Sequence, residues 1–336
     1  MASRVDLWVI DGSDADVESS HSRWWGQQVN RHRPDPRYHF RNGKVDGVLT
    51  GLRLVRNERV IIADDDVRYD EDGLRQMADA LSRADLVRPQ NYFDPLPWHA
   101  RWDTARTLLN RAFGADYPGT LGVRKSLVLA VGGYDGDAMF ENLELIRTVE
   151  AAGGTVDNPL GLYVRRIPPT SRQFFSQRLR QAFDDFAQPG RLLASLSCLP
   201  AGAVLTRRFG ARSLAGVATA VIAVAEVGRR RAGGARVFPK TAPLLAPAWL
   251  LERAVCSWLA LASRMLLGGV PYRGGIVPLA ANPTHRIRER LLLRADLDRG
   301  CQATDLQDLQ RGGPGPVNDQ HATAFAEAFD GIHQYP

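Results

Sequence analysis

Short apolar runs that alternate with helical patterns over residues 1–165 are the feature that most constrains the fold of this chain. Residues 5–10, 59–63 and 86–93 are rich in apolar and β-branched side chains, which favours strands. Between these runs apolar residues recur at helical spacing, as at Val45, Val48, Leu49 and Leu52 and again at Leu74, Met77, Ala78 and Leu81. This rhythm predicts an α/β domain of Rossmann-like architecture with a mostly parallel sheet, in which ligands bind at the carboxyl ends of the strands.

The composition is that of an ordinary globular protein: 336 residues, 44% hydrophobic and 24% charged, with 43 Lys and Arg against 37 Asp and Glu. These values exclude a disordered, collagen-like or disulfide-scaffold protein. The three cysteines are widely spaced and form no pattern of metal ligands, so we expect no structural zinc site and a reducing compartment. The first ten residues lack the apolar core of a signal peptide, so we expect the α/β part to face the cytoplasm.

The rhythm changes near residue 166, after which the chain is predicted to be helical. One face of a predicted amphipathic helix there carries Phe175, Leu179, Ala182, Phe183 and Phe186. Residues 191–270 are rich in Ala, Leu and Val, whereas the last 35 residues carry the glycines and prolines of a flexible tail. We therefore predict an α/β domain over 1–165, a linker helix over 166–190, a hydrophobic, basic-flanked helical region over 191–300 and a flexible tail over 301–336.

The helical region favours association with a membrane surface. Its longest uncharged run, residues 192–206, has 15 residues, whereas a spanning helix needs about 20 apolar residues, so we expect interfacial helices or a packed hairpin. Seven arginines and one acid, Glu226, between residues 207 and 236 favour an anionic membrane surface over nucleic acid, for which no binding motif is present. The predicted location is the cytoplasmic face of the cell membrane, or the cytoplasm if these helices form a soluble bundle with a solvated basic face.

Three aspartates directly follow the apolar run at 59–63. Because alternate residues of an extended chain point the same way, the side chains of Asp64 and Asp66 are expected to converge while Asp65 points elsewhere. Two carboxylates at a strand end suit a hard divalent cation such as Mg²⁺ or Mn²⁺, which keeps further positions for substrate phosphates. The alternative interpretation is an acidic loop cap.

Two polar segments accompany this acidic one. The turn from Asp11 to Asp14 follows the first predicted strand, and it is either a plain turn or a polar edge that grips a nucleotide base or ribose. Gly43 and Lys44 precede a predicted helix, where glycine permits close approach, the helix N-terminus favours anions and lysine adds a positive charge. The alternative for Gly43 and Lys44 is a simple helix start.

Taken in order, the motifs of residues 5 to about 185 resemble those of family 2 glycosyltransferases, which have the GT-A fold. The matching segments are DGSD (11–14), NGK (42–44), DDD (64–66) as the DxD motif, GTLGVRKS (119–126), GGYD (132–135), ENLEL (141–145) and QRLR (177–180). The apolar C-terminal part resembles that of membrane-associated members which glycosylate lipids or build polysaccharide.

The resemblance implies a role for each matched residue. It assigns donor binding to Asp11, Asp14, Gly43, Lys44, Asp64, Gln177 and Arg178, and metal ligation to Asp64 and Asp66. It assigns the acceptor side to Gly119, Thr120 and Gly122, and catalysis to Glu141, Asn142 and Arg180. In this scheme Asp11 contacts the donor base, and Arg180 stabilises the leaving diphosphate.

The implied activity is metal-dependent transfer of a sugar from a UDP- or GDP-linked donor to a lipid-linked or cell-envelope glycan, with inversion. Three departures bear on it: Asn142 stands where the family has the Asp that acts as base, Gln181 stands where it has Trp, and its first strand and nucleotide-binding loop would have to precede Val5. Either Glu141 or Glu144 takes over as base, or transfer is lost. The alternatives are therefore an inactive homologue that serves as a binding or scaffold subunit, and a nucleotidyltransferase.

Overall fold

The computed structural model describes residues 5–25 and 29–311 of the chain. Its strands are β1 (Trp8–Ile10), β2 (Asn30–His32), β3 (Arg59–Ala63), β4 (Val67–Arg68), β5 (Leu86–Val87), β6 (Gln90–Phe93), β7 (Thr120–Arg124), β8 (Val156–Asp157), β9 (Tyr163–Arg166), β10 (Val270–Tyr272) and β11 (Gly275–Val277). Its α-helices are α1 (Ala15–Trp25), α2 (Gly43–Leu54), α3 (Glu71–Ala80), α4 (Trp98–Phe113), α5 (Lys125–Ala130), α6 (Glu141–Ala151), α7 (Ser171–Phe183), α8 (Pro189–Phe209), α9 (Arg212–Arg230), α10 (Ala246–Leu267) and α11 (Thr284–Arg311). Short 3₁₀ helices cover Asp184–Ala187, Arg231–Arg236 and Ala242–Leu245.

The protein is mixed α/β, and its sheets combine parallel and antiparallel strands. A four-stranded sheet has the order β3-β7-β5-β8, and a three-stranded sheet has the order β4-β9-β6. β7 runs antiparallel to both β3 and β5, whereas β5 is parallel to β8 and β6 is parallel to β9. The expectation of a mostly parallel sheet is therefore wrong. Strand β7 inserts between the earlier strands β3 and β5 and runs opposite to both. The sequence could not show this, because side-chain periodicity carries no information about strand direction.

The main core fixes the elements that meet at the site. It lies between the four-stranded sheet and helices α2, α5 and α6, and its buried residues include Val45, Leu86, Leu121, Val128 and Ile146. Burial of such apolar side chains is the dominant favourable term in folding. The carboxyl end of β3 and the N-termini of α2 and α6 are therefore held by one packed core.

Local sequence signals explain where the site helices begin. The side chain of Asn42 caps α2 by accepting a hydrogen bond from Lys44 N at 3.2 Å. Thr170 and Gln173 form a capping box at the start of α7. On α7 the buried aromatic residues are Phe174 and Phe183, whereas Phe175 is 63% exposed, so the predicted apolar face is displaced by one residue at its N-terminal end.

Two boundaries of the predicted domain division fall inside elements of the structure. Strand β9 ends at Arg166, so a domain boundary at residue 165 would cut a strand that pairs with β4 and β6. Helix α11 continues to Arg311, so the start of the predicted flexible tail is helical; residues 312–336 lie outside the described part of the chain.

The C-terminal region is helical through α8, α9 and α10. Among the described residues one segment, Ala242–Leu267, is long and apolar enough to cross a membrane by length and composition, although the sequence analysis expected none. A third of its apolar window is buried within the protein, and it carries Arg253, which is 6% exposed. Helix α10 packs on α7 and α8, as a core helix also would.

Candidate functional site

Five alternating charges form a continuous chain of ion pairs where β3 ends. Glu141 Oε1 lies 2.8 Å from Lys44 Nζ, which lies 2.6 Å from Asp64 Oδ1. Arg166 then joins the two aspartates, with 3.2 Å to Asp64 Oδ2 and 2.7 Å to Asp66 Oδ2. We call Glu141, Lys44, Asp64, Arg166 and Asp66 the charge chain. It brings together four segments that are distant in sequence.

The backbone around the charge chain is tightly fitted. Asp64 N donates to the carbonyl oxygen of Gly119 at 2.9 Å, directly before β7 begins. A Cβ atom at Gly119 would lie 2.6 Å from Asp64 Oδ2 and 2.8 Å from Arg166 Cζ, a contact that real Cβ atoms do not make. Glycine at position 119 therefore allows Arg166 to reach both aspartates.

Electrostatics within the charge chain favours the charged form of Lys44. Burial acts to lower the pKa of Lys44, but the carboxylates of Glu141 and Asp64 outweigh it and hold that pKa above its ordinary value. Burial raises the pKa of Asp66 although Arg166 opposes the shift. Asp66 Oδ1 is also buried without a hydrogen-bond partner in the described residues. Asp66 is therefore a weaker acid than an ordinary aspartate, and one of its carboxylate oxygens is unsatisfied.

The charge chain occupies the atoms that were expected to bind a metal ion. Across residues 5–25 and 29–311, no three His, Cys, Asp or Glu side chains are grouped to hold one. Of the four carboxylate oxygens of Asp64 and Asp66, three contact Lys44 or Arg166. A divalent cation would have to displace these two cations, so the side chains as placed do not fit a resident Mg²⁺ or Mn²⁺.

Arg273 lies beside the N-terminus of α2, and Arg180 shares a tyrosine ring with it. A two-residue turn joins β10 to β11, with Arg273 at φ 45° and Gly274 at φ 79°, as a type I′ hairpin requires. This turn presents Arg273 over α2, where a Cβ atom on Gly43 would lie 3.0 Å from Arg273 Nη1. Arg180 of α7 lies 5.2 Å from the ring centre of Tyr272, and Arg273 lies 5.5 Å from it. The sequence predicted Arg180, Gly43 and Lys44 but not Arg273.

The predicted donor residues near the N-terminus lie in a separate turn after β1. Asp11 accepts hydrogen bonds from Ser13 N at 3.0 Å and contacts His21 Nδ1 at 2.9 Å. Burial acts to raise the pKa of Asp11, but these hydrogen bonds lower it to about 2. Asp14 is exposed, and its carbonyl oxygen accepts from Glu18 N at the start of α1. Asp11 is therefore a fixed anion, and Asp14 begins a helix.

The segment expected to provide the base is committed to other contacts. Glu141 binds Lys44, and Asn42 Nδ2 lies 3.4 Å from its other oxygen. Asn142 Nδ2 donates to the carbonyl oxygen of Pro118 at 3.0 Å. An amide in this position holds the backbone and cannot accept a proton as a carboxylate does.

Glu144, the other carboxylate considered as base, is a packing residue. It is 1% exposed and accepts hydrogen bonds from the backbone and side chain of Asn282 at 2.6 and 2.8 Å. Burial raises its pKa, and these two hydrogen bonds oppose the shift. Arg147, three residues later on α6, donates hydrogen bonds to the carbonyl oxygens of Asn282 and Ala187.

Of the three residues predicted on the acceptor side, Thr120 and Gly122 are buried inside the protein. Thr120 is 1% exposed and its hydroxyl donates to the carbonyl oxygen of Ile62 at 2.7 Å. Gly122 faces α3, where a Cβ atom would lie 2.8 Å from Met77 Cε. Thr120 and Gly122 are two residues apart on β7, so they face the same side of the sheet. Both are buried in the core and offer no surface to an acceptor. Gly119 alone lies next to the charge chain.

Arg178, which was also predicted to bind the donor, points into the interior. It is 9% exposed and pairs with both oxygens of Asp103 at 2.8 and 3.0 Å, while its guanidinium stacks on Phe174. Gln177, one residue earlier on α7, is half-buried. The helix thus directs Arg178 into the interior and Gln177 and Arg180 to another face.

The functional candidates that the sequence analysis missed are Arg166 and Arg273. Arg166 is 100 residues from Asp66 in the chain, and only the pairing of β4 with β9 brings them together. A signal for Arg273 was present, because Tyr-Arg-Gly-Gly between apolar residues is a hairpin-turn pattern.

Comparisons with known proteins give weak structural likenesses. No family model matches the chain, and no curated protein matches it. Among solved structures, the mannosyltransferase PcManGT from Pyrobaculum calidifontis, in complex with GDP-Man and Mn²⁺, is similar with a TM-score of 0.44 and 17% sequence identity. The match covers 77% of this chain and 79% of that one. A likeness of this extent assigns neither family nor function.

Proposed function

We propose that this protein is a glycosyltransferase that moves a sugar from a UDP- or GDP-linked donor to a lipid-linked or cell-envelope glycan. The observation that carries the proposal is the meeting of Lys44, at the N-terminus of α2, with the carboxylates of Asp64 and Glu141 at the end of β3 and the start of α6. This arrangement combines a cationic anchor for a diphosphate with acids beside it.

The local charge supports a diphosphate ligand. Lys44 and Arg166 bring two positive charges against the three carboxylates of the charge chain. Arg273 adds a third beside Gly43, at the start of α2, and Arg180 lies on the same tyrosine ring as Arg273. Within the described residues neither Arg180 nor Arg273 makes an ion pair with a carboxylate, so their charge is available to a ligand. The N-terminus of α2 adds backbone N–H groups and the positive end of a helix dipole. Fixed cations of this kind stabilise the negative charge that develops on a departing diphosphate.

In the proposed transfer step, different residues contact the leaving diphosphate and the donor nucleoside. The acceptor hydroxyl oxygen attacks the anomeric carbon while the bond to the diphosphate oxygen breaks, and the electron pair leaves with the diphosphate near Arg180 and Arg273. Asp11, held as an anion by Ser13 and His21, suits a ribose hydroxyl or a base N–H of the donor. Displacement in one step inverts the anomeric centre.

Membrane association forms part of the proposal. At the turn between α8 and α9, Arg207, Arg208 and Arg212 are exposed together with Phe209, which is 69% exposed. Basic residues beside an exposed aromatic side chain suit an anionic bilayer surface. Only part of the seven arginines between residues 207 and 236 can face a membrane. Arg229 is buried against Glu226, and Arg231 donates to the carbonyl oxygens of Arg111 and Ala112.

The test is a thermal-unfolding screen of the full chain with UDP, GDP, their common sugars and ADP as a nucleotide control. Ligand at a hundredfold excess over its Kd stabilises the folded state by about 2.7 kcal/mol. We expect a higher Tm with one uridine or guanosine diphosphate sugar, followed by release of its nucleoside diphosphate. Absence of a shift with every nucleotide contradicts the proposal.

A second candidate is a nucleotide-sugar-binding subunit without transferase activity. The observation in its favour is Asn142, an amide that stands where the related enzymes have the catalytic base and that donates to the carbonyl oxygen of Pro118. The carboxylate next to it in the chain, Glu141, is paired with Lys44. A binding subunit would show the Tm shift without any release of the nucleoside diphosphate.

A further inference from the structure

Asp184 is a carboxylate outside the charge chain, and it lies directly after α7, at the start of the 3₁₀ helix Asp184–Ala187. It follows Gln177, Arg180 and Gln181 by seven, four and three residues, so all four share one face of the helical segment. Each of them is half-buried. The face that carries Arg180 toward the proposed diphosphate therefore also carries an acid.

One carboxylate oxygen of Asp184 has no hydrogen-bond partner in the described residues, whereas the adjacent Asp185 is bound by other side chains. Asp184 Oδ1 and Gln181 Oε1 are buried and have no hydrogen-bond partner among the described residues. Asp185 is 2% exposed and is bound by Ser195 and Arg191. Buried polar atoms are nearly always paired, and an exception calls for a ligand, a water or a catalytic role.

The surroundings of Asp184 match the needs of a hydroxyl group. The charged groups that act on it are Glu141 of α6, Arg253 of α10, the adjacent Asp185, and Arg106 of α4. Arg253 Nη1, which lies 3.9 Å from Asp185 Oδ2, and Arg106 Nε are also buried without a hydrogen-bond partner in the described part of the chain. The groups that act on Asp184 thus include unsatisfied donors as well as its own unsatisfied acceptor, and a hydroxyl both donates and accepts.

We propose that Asp184 is the catalytic base that receives the proton of the acceptor hydroxyl, in the role that Asn142 cannot fill. This inference rests on the proposed transferase function. As the oxygen–carbon bond to the sugar forms, the hydroxyl proton passes to the Asp184 carboxylate, and the bond between the anomeric carbon and the diphosphate oxygen breaks. The diphosphate leaves with the electron pair.

The electrostatic environment suits this role. Burial, Glu141 and Asp185 raise the pKa of Asp184 well above its ordinary value, while Arg253 and Arg106 oppose the shift. A carboxylate with a raised pKa is a stronger base, and general-base catalysis is most effective when the pKa of the base is near the working pH. Glu141 is less suited, because Lys44 holds its proton-accepting oxygen in an ion pair.

The experiment compares Asp184→Asn with Asp185→Asn in the full-length protein. The readout is release of the nucleoside diphosphate in a single turnover, with water as acceptor and with the UDP- or GDP-sugar that raises the Tm of the wild type. For Asp184→Asn we expect a loss of rate of about 100-fold or more, with the Kd of the nucleotide sugar unchanged. The wild-type rate should rise with pH through the pKa of Asp184, and the variant rate should be flat. Asp185→Asn should lower the Tm and keep the maximal rate within about threefold, and its pH profile should move to lower pH because Asp185 helps to raise the pKa of Asp184.

The outcomes separate the base from the proposed function. If the wild type binds no nucleotide sugar, or binds one without turnover, the transferase function fails and the base assignment falls with it. If the wild type turns over and Asp184→Asn stays within about threefold of its rate, or keeps the wild-type pH profile, the assignment of Asp184 alone is overturned. Loss of nucleotide binding in step with loss of rate would also overturn it, since that marks a structural residue.

Discussion

Lys44 and Asp64, which come from a helix start and a strand end, form an ion pair with 2.6 Å between Nζ and Oδ1. The same ammonium group binds Glu141 at 2.8 Å, so one lysine is shared by two carboxylates. Removal of one partner of such a half-buried pair leaves a charge without compensation. The position of Lys44 is therefore fixed by the protein before any ligand arrives, which is what an anchor for a diphosphate requires.

Arg166 should compete with divalent cations for the two aspartates. We expect Arg166→Met to bind Mn²⁺ at least about tenfold more tightly than the wild type, because it removes a positive charge from the carboxylate oxygens. Electron paramagnetic resonance of free Mn²⁺ in the absence of nucleotide measures this directly. Arg165→Met is the control, since Arg165 contacts Asp94 instead. Equal Mn²⁺ affinities in the two variants would show that Arg166 does not occupy a cation site.

The Arg178–Asp103 pair should govern stability and leave donor binding unchanged. Its side chains are 10% and 7% exposed, and breaking a buried ion pair costs about 3–5 kcal/mol. We expect Arg178→Met to lower the free energy of unfolding by that amount in urea titrations, and the exposed Arg172→Met to have little effect. A folded Arg178→Met protein with weakened nucleotide binding would restore Arg178 to the donor site.

Asp184 should make the protein less stable as pH rises. The pKa of Asp184 in the folded state lies well above its ordinary value of 3.8, so between these two values the folded state binds more protons than the unfolded state. Stability from this group is therefore present below pH 3.8 and is lost as pH rises through the folded-state pKa. Asp184→Asn removes the effect, so its Tm should exceed that of the wild type near neutral pH and approach it in acid. Parallel Tm curves would refute the shift.

The α8–α9 turn should bind anionic vesicles. Each basic residue near an anionic surface contributes about 1 kcal/mol, so Arg207→Gln with Arg208→Gln should weaken binding to phosphatidylglycerol vesicles about 30-fold. Arg286→Gln with Arg288→Gln, on the exposed face of α11, serves as the control. The assay is co-sedimentation, with phosphatidylcholine vesicles for comparison. Equal binding by both double variants would place the contact elsewhere.

The sequence predicted the site best where the signal is local. The apolar run at 59–63 is strand β3, and Asn42 caps the helix that begins at Gly43. The alternation rule placed Asp64 and Asp66 together, and both contact Arg166. These features depend on neighbours within a few residues, which periodicity and capping rules describe.

The sequence failed where the fold decides the contacts. Nothing in the spacing of Arg166 shows that β9 will pair with β4 and set this side chain on the aspartates. Arg178 and Arg180 look alike in the sequence, yet helix α7 points one to Asp103 and the other to Tyr272. The resemblance assigned Thr120 and Gly122 to the acceptor side, whereas β7 places them within the sheet. Each error concerns long-range pairing or the orientation of a helix face.

The most direct test of the central claim is calorimetric titration of the full chain with the nucleoside diphosphate selected by the thermal screen. If Lys44 anchors the diphosphate, Lys44→Gln should weaken binding by about tenfold or more, while Lys240→Gln, at an exposed lysine, should bind as the wild type does. The matching nucleoside monophosphate should lose less affinity from Lys44→Gln than the diphosphate does. Equal diphosphate affinity in Lys44→Gln and the wild type would contradict the account.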